Sequence, residues 1–177
     1  MRLPALIAAL SMSALLPTVA LAQTPTQTPA PAAAPAPAVG VTVADARTWL
    51  TGLGGSVGEP EAVTGAQILR VADEPLPWNL TFYACTTLCD DLQFSAVFTG
   101  PLTIEQANQW NLQSRYLKAA FSPAPATGGN PSIVLQYDVL LTQTGPDQLQ
   151  EPTVIWIQQL RAFARMLTGE GAAPVQP

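Results

Sequence analysis

The residues best suited to chemistry are Cys85 and Cys89, the chain's two cysteines, set in the stretch YACTTLCDDLQF at 83–94. Three residues separate them, and the chain contains no histidine. Such a pair suits a covalent clip across a turn, a redox couple, or half of a metal site. A metal site wants about four thiolate, imidazole or carboxylate ligands. Only Asp90 and Asp91 stand nearby, and carboxylates in that position are better placed to cap the turn in solvent. Neither a metal nor a cofactor is therefore expected. A redox thiol wants a helix N-terminus, cationic neighbours and often C-x-x-C spacing. Here C-x-x-x-C lies between strand-like segments and its nearest charges are negative. The favoured expectation is a disulfide that fixes a hairpin tip and stabilises by about 2 kcal/mol. An envelope redox sensor using the same bond is the alternative.

Catalytic chemistry finds little else to use, and no enzyme activity is expected. The lack of histidine excludes Ser-His-Asp and Cys-His arrangements. Glycosidase chemistry needs two facing carboxylates. Asp73, Glu74, Asp90, Asp91, Glu105 and Asp138 fall mostly in turns or on a solvent-facing strand side. No phosphate-binding or dinucleotide motif is present, and TGLGGSVG (51–58) follows a helix rather than a strand.

Around these residues the chain has distinct ends. Arg2, the apolar run Leu3 to Val19 and the small-x-small Ala20-Leu21-Ala22 make residues 1–22 an expected signal peptide, cleaved before Gln23. The expected location is the periplasm or beyond, where disulfides persist. Residues 23–40 form a Pro/Ala-rich linker expected to be disordered, and 169–177 a similar tail. The remainder, 41–168, is read as one α+β domain. Losing Arg2 leaves six basic against twelve acidic residues, a net charge of −6. That balance argues against nucleic acid and anionic membrane as partners. No second run of eighteen apolar residues follows the leader, so no membrane span is expected after cleavage.

The elements that must position the cysteines follow from periodicity. Val43, Ala46, Trp49, Leu50 and Leu53 share one helical face, closed by Gly54-Gly55. Strands are predicted at Ala66–Ala72, Trp78–Ala84 and Leu92–Phe98, the last two alternating with period two and flanking the cysteine loop. Thr103 and Gln106 form a capping box for a helix that buries Ile104, Ala107, Trp110 and Asn111 and fades near Arg115. YLKAAF continues as a short strand, and Ile133 to Leu141 alternate as another. The last helix is expected from Pro152, with Trp156, Leu160, Phe163 and Leu167 on its stripe. The order α-β-β-β-α-β-β-α gives an antiparallel sheet of about five strands packed by helices.

The hairpin LTFYACTTLCDDLQFSAVF, then LTIEQANQWNLQSRYLKAAF, then SIVLQYDVLL and a tryptophan-bearing final helix together resemble the YbjN-domain family. Its members are described as bacterial sensory transduction regulators. The resemblance spans Val43 to Leu167 and rests on Cys85, Cys89, Trp110, Asn111, Arg115, Tyr116 and Phe121. It implies a fold like that of the small type III secretion chaperones, no known catalytic activity, a protein partner and, by analogy with those chaperones, a homodimer. The loop SPAPATGGNP (122–131) and the turn TQTGPD (142–147) depart from the family pattern. The expected function is an exported, non-catalytic module that binds another protein, chaperone-like or regulatory.

Overall fold

The computed structural model describes residues 38–72 and 76–169. The expected leader, most of the linker and nearly all of the tail lie outside them, as do Asp73 and Glu74. Helix α1 (Val43–Gly52) begins where the Thr42 hydroxyl accepts the Asp45 amide at 3.0 Å. It ends before Gly54, whose φ of +94° lies in the left-handed region that glycine adopts freely. Strands β1 (Glu61–Val63), β2 (Ala66–Val71), β3 (Trp78–Tyr83) and β4 (Asp91–Thr99) follow. Helix α2 (Ile104–Gln113) carries the predicted capping box, with Thr103 and Gln106 each satisfying the other's backbone amide. Then come β5 (Lys118–Ser122), β6 (Ser132–Leu140), a 3-10 turn (Pro146–Leu149) and α3 (Gln150–Thr168).

Among the described residues the strands form one antiparallel sheet in the order β1-β2-β3-β4-β6-β5. Helix α2 carries the chain from β4 to the far edge, and β6 returns between β4 and β5. Register aligns the apolar positions across strands. Leu80 sits opposite both Leu69 and Phe94, Phe94 opposite Tyr137, and Leu135 opposite both Ala96 and Ala119. Helix α3 lays Trp156, Leu160 and Phe163, all fully buried, on that face. The Trp156 ring lies 5.8 Å from Phe94 and 6.1 Å from Trp78, while Phe163 meets Phe98 at 4.9 Å and Trp110 at 5.1 Å. Each such aromatic contributes on the order of 2–3 kcal/mol by leaving water.

The α+β class holds, with six strands in place of about five. Strand β1 escapes the sequence reading because three exposed residues cannot show a period; the turn at Gly65 (φ +77°) brings it back onto β2. Two residues expected on buried helix faces are exposed. Ile104 is the first residue of α2 and precedes its contact with the core, and Leu53 caps α1 beyond its last packed turn. Helix α3 begins two residues earlier than Pro152, which sits in its first turn, where a missing amide costs nothing.

Candidate functional site

Helices α1 and α3 cover one face of the sheet. Pleating sends the alternate residues of every strand to the other face. There Asn79, Thr81 and Tyr83 of β3 stand beside Ser95, Gln93 and Asp91 of β4, while Gln93, Ser95 and Val97 stand beside Asp138, Gln136 and Val134 of β6. A side-chain ladder crosses the centre. Gln93 donates to Asp138 at 2.7 Å and accepts from Gln136 at 3.3 Å, while the Tyr83 hydroxyl lies 3.4 Å from Gln93 Oε1. Apolar residues flank this polar centre. Val97 is 58% exposed and Leu140 74%. Val97 pairs with Val134, six positions along β6 from Leu140, so the two are roughly 20 Å apart. Val63 adds a third exposed apolar residue at the β1 edge.

At one end of this sheet Cys85 and Cys89 are joined as a disulfide, their Cα atoms 4.4 Å apart. The chain enters the loop through Ala84 at φ +48°, a left-handed conformation uncommon for a residue with a side chain. Cys89 is 2% exposed, and Cys85 is partly buried against the core. A strap of chain lies over the loop. Val41 and Cys89 exchange both backbone hydrogen bonds, at 3.0 and 2.9 Å. Gly40 donates to Gln143 and accepts from Gly145, Leu141 donates to Asp90, and the Thr144 hydroxyl donates to the Ala38 carbonyl. Gly40 has φ +113°, and a Cβ there would collide with the Cys89 carbonyl. Residues 38–41 are thus tied to the disulfide loop and to the 142–145 turn. Asp90 and Asp91 join no cluster of three or more candidate metal ligands among the described residues.

The residues carrying the family resemblance are drawn together elsewhere. The Asn111 amide donates to the Ala119 carbonyl at 2.9 Å and accepts the Ala119 amide at 2.8 Å, completing the outer edge of β5 as a neighbouring strand would. Trp110 Nε1 donates to the Leu117 carbonyl at 3.2 Å. The Arg115 guanidinium lies 5.4 Å from the Tyr116 ring, which meets Tyr137 edge-on at 6.2 Å. Burial, then the neighbouring Tyr116 and Glu151, hold the Tyr137 phenol above its ordinary pKa. These contacts tie α2 to β5 and β6, and none of them reaches the disulfide loop. Their effect is to close a sheet edge. Trp156 and Phe163 lie in the core, as their helical stripe implies. Sequence reasoning missed the sheet-face ladder, although its polar half of the β3 and β4 alternation was visible. It also missed Val41 as the backbone partner of Cys89.

No family model matches this chain, and no curated protein matches it significantly. Among solved structures, the crystal structure of YbjN from E. coli, described as a candidate transcription regulator, is similar in fold. Its identity to this chain is 18%, its TM-score 0.45, and the match covers 70% of this chain and 87% of that one.

Proposed function

We propose that this protein is an exported, non-catalytic binding domain, chaperone-like or regulatory, whose partner is a protein docking on the uncovered sheet face. One observation carries the reading: a broad β surface with a hydrogen-bonding centre and exposed Val97 and Leu140, on the side away from all three helices. The ladder's amides and hydroxyl both donate and accept, and the charges the central strands bring to this face are the carboxylates of Asp91 and Asp138, so the matching partner surface is polar and rich in donors, with apolar flanks. Interfaces combine such apolar anchors with satisfied hydrogen bonds. Among the described residues no helix is long and apolar enough to cross a membrane. Export follows from the leader, and the mass of the mature chain in an envelope fraction should place its N-terminus at Gln23.

The test is a photo-crosslinking residue at position 97, with a second at position 165 on the exposed side of α3 as control. A discrete protein adduct is expected from position 97 only, and Leu140→Glu should abolish it while leaving thermal unfolding unchanged. Equal adducts from both positions, or indifference to Leu140→Glu, would refute the docking face.

A redox reading draws support from one observation, the pairing of Val41 with Cys89. Breaking the disulfide would loosen the strap at Gly40 and Val41. The bond's reduction potential decides between the two: structural bridges lie below about −300 mV and labile ones higher.

A further inference from the structure

Outward-pointing residues on the uncovered sheet face fall into cross-strand rows fixed by the register. One row reads Lys118, Gln136, Ser95, Asn79 and Arg70 from β5 across to β2. The next reads Asp138, Gln93, Thr81, Ile68 and Glu61 from β6 across to β1. Beyond the first row lie Val97, Val134 and Ala120, and beyond the second lie Leu140 and Asp91. The first row thus carries a cation at each end, and the second a carboxylate at each end.

This order is complementary to itself. A second copy can be turned about a two-fold axis that runs along the rows, midway between these two, and laid face to face on the first. Each strand then lies antiparallel over its own counterpart, which is the aligned packing that twisted sheets adopt. Gln136 meets the partner's Asp138, and Ser95 meets the partner's Gln93. Lys118 comes beside the partner's Asp138, and Arg70 beside the partner's Glu61. Val134 meets the partner's Leu140, which is 74% exposed in the single chain. One position is poorly matched, because Asp91 comes under the partner's Val97. Six strands about 4.8 Å apart and four outward rows about 6.8 Å apart cover roughly 600–700 Å² before side-chain relief is counted. A standard interface buries about 800 Å² per partner, so the face has the size a stable dimer needs.

We propose that this face pairs with a second copy of the same chain, giving a two-fold β-sandwich. An isologous contact of this kind uses one patch twice and needs only that the patch match itself. The pairing rests on the docking face proposed above and names the protein that occupies it.

Sedimentation equilibrium of the mature chain should give twice the chain mass. Lys118→Glu and Asp138→Lys should each weaken the dimer by about tenfold or more, since each sets two like-charged pairs across the interface. An equimolar mixture of these two variants should recover the dimer, because every such pair is again opposite in sign. A variant that merely folds badly is not rescued by mixing. Asp91→Asn should tighten the dimer several-fold by removing the mismatch. A chain that stays monomeric, a dimer indifferent to the reversals, or one that mixing does not recover would overturn the pairing, as would an Asp91→Asn dimer no tighter than the parent. If the chain is monomeric while the crosslinker at position 97 still captures a different protein, the docking face stands and the pairing alone falls. A dimer indifferent to the reversals, with no adduct from position 97, removes both.

Discussion

Asn111 offers the sharpest test of how the sheet edge is held. Its side chain replaces a missing strand, donating to the Ala119 carbonyl at 2.9 Å and accepting the Ala119 amide at 2.8 Å. Ala119 itself is buried, so Asn111→Ala leaves both backbone groups poorly reached by water. Two hydrogen bonds at about 1 kcal/mol each, plus part of the penalty for stranded groups, give a loss of about 2–3 kcal/mol. Urea unfolding followed by tryptophan fluorescence reads this directly. With a slope of about 1.5 kcal/mol per molar urea, the midpoint should fall by about 1.3–2 M and the slope should not change. Asn111→Leu, which keeps apolar contact but makes neither bond, should lose nearly as much. Asn111→Asp retains the acceptor and sets a carboxylate beside the Ala119 carbonyl. It should be weak at neutral pH and recover as pH falls and the protonated acid can donate. A loss under about 0.5 kcal/mol for both Ala and Leu would refute the claim that these bonds hold the edge.

The strap and the core give three further expectations. Gly40→Ala forces a side chain into the Cys89 carbonyl at φ +113° and should cost at least about 1–3 kcal/mol, read as a lower thermal midpoint. Reduction of Cys85–Cys89 opens a ring of five residues and should cost only about 2 kcal/mol, leaving the domain folded. Amide exchange should then rise first at Val41, and a global collapse on reduction would contradict this. The Tyr137 phenol is held above its ordinary pKa by burial, so the folded state favours its neutral form. The stability this supplies is complete below the unfolded value near about pH 10 and is lost as pH rises through the folded one. Tyr137→Phe should flatten that alkaline decline in urea midpoints, and an unchanged decline would assign it elsewhere.

Several elements were legible because their energetics are local. The start of α2 needs only Thr103 and Gln106, which satisfy each other's amides within one turn. Alternation in β3 and β4 shows which residues go inward, and the 3.6 spacing of Trp156, Leu160 and Phe163 marks the stripe of α3. A bridge between Cys85 and Cys89 follows from closeness in sequence. Where the reading failed, a local pattern met a non-local circumstance. Ile104 and Leu53 have helical phase for burial but stand at helix ends that no neighbour covers. Strand β1 forms only because β2 offers it an edge. Asn111 could be placed on the inner side of its helix, yet its function depends on where β5 passes.

The sequence alone determined the types of most elements, the inward residues of β3, β4 and α3, the cysteine pair and the acidic balance of the chain. Each depends on neighbours within a few positions or on composition. Tertiary structure decided that one sheet face stays bare among the described residues, that Gly40 and Val41 lie across the Cys89 loop, that Asn111 closes the β5 edge, and that Trp78, Thr153 and Arg161 share one pocket. These are meetings between residues that chain connectivity leaves far apart. Their geometry is set by how layers stack and which faces are left over, and no local period encodes that.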